Sequence, residues 1–194
     1  MRKWICVPMI ALCLLTGCGQ GGETVDDRQP YREMAGCAME AVVSCDQEGA
    51  LWHATLRCDW TEESSTIEVL APETLEGVRA TLTGEDWQLE YEDLCLDAGT
   101  LSAQRISPAV CLPRLISALR EGWLLEENDE TWQEIPCRRL TLDETGEAGG
   151  KILSTLWLRQ EDGTPLRGEI AVDGEIILTA EFTQFSFYDT MDPT

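Results

Sequence analysis

Four kinds of residue in this 194-residue chain could do chemistry: a cysteine at position 18, six cysteines downstream of it, one histidine and 36 carboxylates. Cys18 closes Leu15-Thr16-Gly17-Cys18, the spacing of a lipobox. Small residues there fit a signal peptidase, and the thiol is the nucleophile that takes a diacylglycerol. Cys37, Cys45, Cys58, Cys95, Cys111 and Cys137 are even in number. In an exported chain they permit three disulfides in any of fifteen connectivities; in a reducing setting they are buried thiols. No C-x-x-C pair accompanies the single histidine, so no structural metal site is expected. Any histidine-based nucleophile or general base must use His53, which sits on the polar side of a strand among Thr55, Arg57 and Asp59. No G-x-S-x-G, P-loop or dinucleotide fingerprint occurs. Paired carboxylates are too abundant for one dyad to stand out. The chemistry expected is lipidation at Cys18, with neither catalysis nor a cofactor.

The leader supports that assignment. Arg2 and Lys3 precede an apolar run from Trp4 to Leu14. That run is too short for a bilayer-spanning helix of about 20 residues but suits a signal peptide. Residues 1–17 are therefore expected to be cleaved and 18–30 to form a lipidated, Gly-rich tether. A single domain is expected over 31–194. Losing Arg2 and Lys3 takes the net charge from −22 to −24. A charge of that sign excludes nucleic acid as a partner and opposes binding flat on an anionic membrane. It suits selective pairing with a basic protein.

Period-two alternation dominates the domain. Ala41, Val43 and Cys45 alternate with polar or outward positions, and Trp52, Ala54, Leu56, Cys58 and Trp60 alternate with His53, Thr55, Arg57 and Asp59. Taking Gln47-Glu48 as the turn places Asp46 opposite Gly49 and, counting outward, Cys37 opposite Cys58. Local twist could close a disulfide there. Further strands are expected at Ile67–Val69, Val78–Leu82, Trp87–Glu92, Trp132–Leu142, Ile152–Arg159, Leu166–Val172 and Glu175–Thr183. Asp173-Gly174 suits a type I′ turn between the last two. The total is nine or ten antiparallel strands. Glu126 to Glu130 reads as an acidic, solvated loop.

One stretch breaks the rhythm. Ser107 as N-cap, Pro108 at the first helical position, Leu115, Ile116 and Leu119 on one face and Gly122 as the stop predict a helix of about 15 residues. One helix among antiparallel strands implies a mainly β, α+β fold: a curved sheet with the helix packed on its concave face. The inward strand positions and the helix face nominate Trp52, Leu56, Ala80, Trp87, Leu89, Leu115 and Leu119 as lining for a cavity beneath the helix.

Three stretches carry a family likeness: Ile67-Glu68-Val69-Leu70-Ala71-Pro72-Glu73 running to Gly77, Ser107-Pro108 through Leu119, and the tail from Pro165 to Phe187. In that order behind a lipobox, the chain resembles bacterial lipoproteins with the LolA-like fold, and is most similar to clostridial spore germination lipoproteins. The resemblance implies an incomplete antiparallel barrel around helices with an apolar concave cavity. It also implies either of two roles. One is binding to an envelope, cell-wall or spore-cortex protein during sporulation or germination. The other is receiving or carrying acyl chains or lipoproteins. A chain held by its own lipid cannot diffuse as a carrier, which favours the first.

Overall fold

A computed structural model describes residues 26–47, 50–84, 86–92, 94–100, 107–144 and 150–188. Cys18, the leader and the start of the tether lie outside these residues. The strands are β1 (Gly36–Gln47), β2 (Ala50–Thr61), β3 (Ser64–Ala71), β4 (Arg79–Thr83), β5 (Asp86–Tyr91), β6 (Leu94–Thr100), β7 (Trp123–Trp132), β8 (Ile135–Asp143), β9 (Ile152–Arg159), β10 (Pro165–Val172) and β11 (Glu175–Phe187). A short helix α1 (Gln29–Glu33) precedes them, and α2 (Cys111–Glu121) lies between β6 and β7. The strands all pair antiparallel in one 11-stranded sheet, ordered β6-β5-β4-β3-β2-β1-β11-β10-β9-β8-β7. Two halves of the chain thus meet where β1 pairs β11, and β6 and β7 are the unclosed edges. The fold is a mainly β, incomplete barrel wrapped on α2.

The inner face follows from the alternation. Cys37, Met39, Ala41, Val43 and Cys45 of β1, and Ala54, Leu56, Cys58 and Trp60 of β2, are buried. So are Leu140 and Leu142 of β8, Leu156 and Leu158 of β9, and Leu178 and Ala180 of β11. Helix α2 presents Cys111, Leu112, Leu115, Ile116, Ala118 and Leu119 to them, and together they form one cluster. A short 3-10 turn, Pro108–Val110, leads into the helix, so Val110 rather than Ser107 occupies the N-cap position. Gly122 ends it in an extended conformation, not a left-handed one. Its reason is space: a Cβ there would stand 2.6 Å from the Ala118 carbonyl and 3.1 Å from Leu142 Cβ.

The structure departs from four sequence expectations. The stretch 126–130 is not a loop but the middle of β7, joined to β8 through Gln133 and Glu134, both at positive φ. The strand expected at Trp132–Leu142 is therefore the end of one strand, a tight turn and the next. Gln47 pairs with Ala50, which moves the first turn one residue along. Finally, residues 26–30, assigned to the tether, are held against the domain. Arg28 is buried and its Nη1 donates to the Gly122 carbonyl at 2.9 Å. By contrast, Asp173 and Gly174 both have positive φ between β10 and β11, as a type I′ turn requires.

Candidate functional site

The moved turn decides the fate of the two candidate disulfide cysteines. Cys37 pairs with Trp60, and Cys58 pairs with Met39. The slip of two ladder positions keeps both thiols on the inner face but makes them diagonal neighbours. Diagonal pairs stand about 7–8 Å apart, outside disulfide reach. All six cysteines among the described residues are free thiols. Burial pushes Cys37 up to about 12, aided by Asp59 and opposed by Arg120. Burial likewise raises Cys58 well above the ordinary thiol value, followed by the neighbouring Cys37, Cys111 and Asp59. Such groups are poor thiolates and behave as small apolar core residues.

His53 meets Ser44 directly across the β1–β2 pair, with Ser44 Oγ 2.8 Å from Nδ1. Among the described residues no carboxylate hydrogen-bonds its other nitrogen, so nothing orients it as a triad base would need. No group of three or more His, Cys, Asp or Glu among the described residues could hold a metal ion.

The seven lining candidates come together but do not share one role. Leu56 and Ala80 of the sheet and Leu115 and Leu119 of α2 are buried together in one core cluster. Trp52, Trp87 and Leu89 are only partly covered and pack on the core's margin. The register extends that margin outward. Leu89 pairs with Leu96, Tyr91 with Leu94 and Trp87 with Leu82, which puts these side chains on the inner face. Leu82, Trp87 and Leu89 pack on the core, whereas farther out Leu94 is 65% exposed, Leu96 61% and Tyr91 43%. The described inward side chains of β4 to β6 carry no charge. Leu94 and Leu96 escaped the sequence reading because Asp93 and Asp97 flank a stretch too short to show a period.

The mouth between α2 and β2–β4 is polar. A recess of about 200 Å³ is lined by Trp60, Ser65, Leu82, Pro113, Ser117 and Arg120, among others. The Arg120 guanidinium lies over the Trp60 ring at 5.1 Å, donates to the Tyr31 carbonyl at 3.0 Å and pairs with Glu62 at 3.5 Å.

At the other edge, the acids of β7 are not free. Arg138 pairs with Glu127, with Asp129 at 2.9 Å and with Asp27 at 3.5 Å. Arg139 pairs with Glu126 at 3.1 Å and Glu130 at 3.0 Å. Glu130 also accepts from Trp157 Nε1 at 2.8 Å. Five carboxylates thus share two guanidiniums, and the edge stays acidic.

No family model matches the chain, and no curated protein matches it in sequence. Its fold is similar to several solved structures. An uncharacterized conserved protein from Thermus thermophilus is 14% identical with a TM-score of 0.49, covering 85% of this chain and 86% of that one. A LolA superfamily protein from Nitrosomonas europaea is 11% identical with a TM-score of 0.47, covering 86% and 92%. The Mycobacterium tuberculosis lipoprotein LppX is 12% identical with a TM-score of 0.47, covering 82% and 91%.

Proposed function

We propose that this chain is a non-catalytic, lipid-anchored binding protein of the extracytoplasmic envelope, and that its binding face is the uncovered inner surface of β4 to β6. The observation that carries this reading is the exposed set Tyr91, Leu94 and Leu96, which continues the inner face outward from Leu82 and Leu89 on a sheet whose other half is filled by α2. An apolar face of this kind on a water-soluble fold marks a contact site. A protein partner fits best, because the chain's net charge of −22 adds selection for a basic surface beside an apolar one. The family resemblance extends the proposal to a cell-wall or spore-cortex enzyme as that partner. Anchorage rests on the lipobox at Cys18; no helix among the described residues is long and apolar enough to cross a membrane.

A second reading takes the same face as a receptor for acyl chains, favoured by the lack of charge at its described inward positions. One experiment separates the two. The lipidated protein is captured from its own cells, and both co-purifying proteins and extracted lipids are analysed by mass spectrometry. The protein reading requires a stoichiometric partner lost in a Leu94→Glu/Leu96→Glu variant. A stoichiometric lipid with no protein partner overturns it in favour of the receptor. Retention of the partner by the double variant moves the binding face elsewhere.

A further inference from the structure

Trp123, Leu124 and Leu125 open β7 immediately after Gly122, and all three are exposed, Trp123 to 76%. Three consecutive exposed apolar residues on an edge strand call for a functional cover. The pairing of β7 with β8 slips between Leu124 and Glu126, so Leu125 falls outside the alternation and the strand bends there. Trp123, opposite Asp143, turns outward, whereas Leu124, opposite the buried Leu142, lies at the rim of the inner face, so the patch wraps the start of the strand.

The N-terminal segment ends beside it. Arg28 donates to the carbonyl of Gly122, the residue before Trp123. Arg120, on the last turn of α2, donates to the Tyr31 carbonyl at 3.0 Å, and Tyr31 Oη donates to the Gly163 carbonyl at 2.6 Å. These bonds clamp α1 over the C-terminal end of α2. The described chain begins at Asp26, and eight residue steps back to Cys18 reach at most about 29 Å. A lipid on Cys18 therefore keeps the start of β7 close to the bilayer that holds it.

We propose that Trp123, Leu124 and Leu125 seat in the interfacial region of that bilayer and set the domain's orientation on it. This rests on the anchored reading of Cys18. Tryptophan prefers the membrane–water interface, where its ring is buried and its N–H stays hydrated. Three residues alone bind a bilayer weakly. The anchor supplies the effective concentration that makes a weak contact persistent. Five carboxylates sharing Arg138 and Arg139 leave this edge net acidic, so the contact is expected on a zwitterionic surface and to be opposed by an anionic one. The contact uses no residue of the β4–β6 face.

The test uses the mature lipoprotein reconstituted into phosphatidylcholine vesicles whose acyl chains carry bromine, a contact quencher of tryptophan. Flotation reports anchorage, and the difference in quenching between wild type and Trp123→Phe reports the position of residue 123. The expected result is equal flotation, with a quenched emission component in wild type that Trp123→Phe lacks and Leu124→Ser/Leu125→Ser diminishes. Equal flotation with no difference in quenching overturns the inference and leaves the anchor standing. Failure of both proteins to float overturns the anchor and the inference with it.

Discussion

Replacing Gly168 by alanine tests how closely α2 is seated on the sheet. Gly168 lies on β10, and a Cβ there would stand 2.6 Å from Leu115 Cδ1 and 3.2 Å from Cδ2. Carbon atoms prefer about 3.5–4.0 Å, so Leu115 must retreat by about 1 Å. Leu115 is fully buried and its neighbours on α2, Leu112, Ile116 and Leu119, are as well, so its retreat must displace other core side chains. Such overpacking costs about 1–3 kcal/mol. At about 2–4 °C per kcal/mol for a domain of this size, the melting temperature should fall by about 2–12 °C. Leu115→Ala alone should cost about 2.7–5 kcal/mol through the cavity it leaves. In the double variant the new methyl occupies part of that cavity. Its total loss in urea unfolding should undershoot the sum of the singles by about 1 kcal/mol or more. A neutral Gly168→Ala, or strict additivity in the cycle, would refute the packing of helix on strand argued from these distances.

Thiol labelling under native conditions near neutral pH should modify Cys95, the exposed cysteine among the described residues, well before Cys37, Cys58, Cys111 and Cys137. Those four should react only on unfolding, and fast labelling of Cys37 would contradict its burial. Glu144 is held above the ordinary carboxyl value of 4.5 because burial outweighs Arg114 at 3.2 Å and the Ser154 hydroxyl. The folded state then binds this proton more tightly than the unfolded chain, so acidification through the folded pKa toward 4.5 adds stability through Glu144. Glu144→Gln lacks that gain, and its stability deficit against wild type should widen as pH falls from neutral; a narrowing deficit on chemical denaturation would sink the assignment.

Where a segment was half-buried, its period was readable: Ala41, Val43 and Cys45, or Leu56 and Cys58, alternate because one side faces α2. The two edge strands were not readable, for a physical reason. Strand β7 is water-exposed along almost its whole length, so no buried side imprints a period on Glu126 to Glu130. Its turn at Gln133-Glu134 uses positive φ without glycine, which removes the usual hairpin signal. Strand β6 carries its apolar residues on the uncovered part of the inner face, the very property that makes it a binding candidate. The Cys37–Cys58 expectation turned on one residue of turn placement, which alternation alone does not determine because a slip of two positions preserves every face. Arg28 and Arg120, which clamp α1 onto α2, are charged residues in contacts between distant segments, and no local pattern announces them.

If the inner face of β4 to β6 is a binding face, it is covered in the cell. Amide hydrogen exchange read by mass spectrometry on native membranes, and again on the purified lipoprotein, measures that cover directly. Peptides spanning residues 86–91 and 94–100 should be protected in membranes and lose protection on purification, while those of β1 and β2 stay unchanged. Unchanged exchange in β5 and β6, with the membrane-dependent protection confined to other strands, would contradict a binding face there.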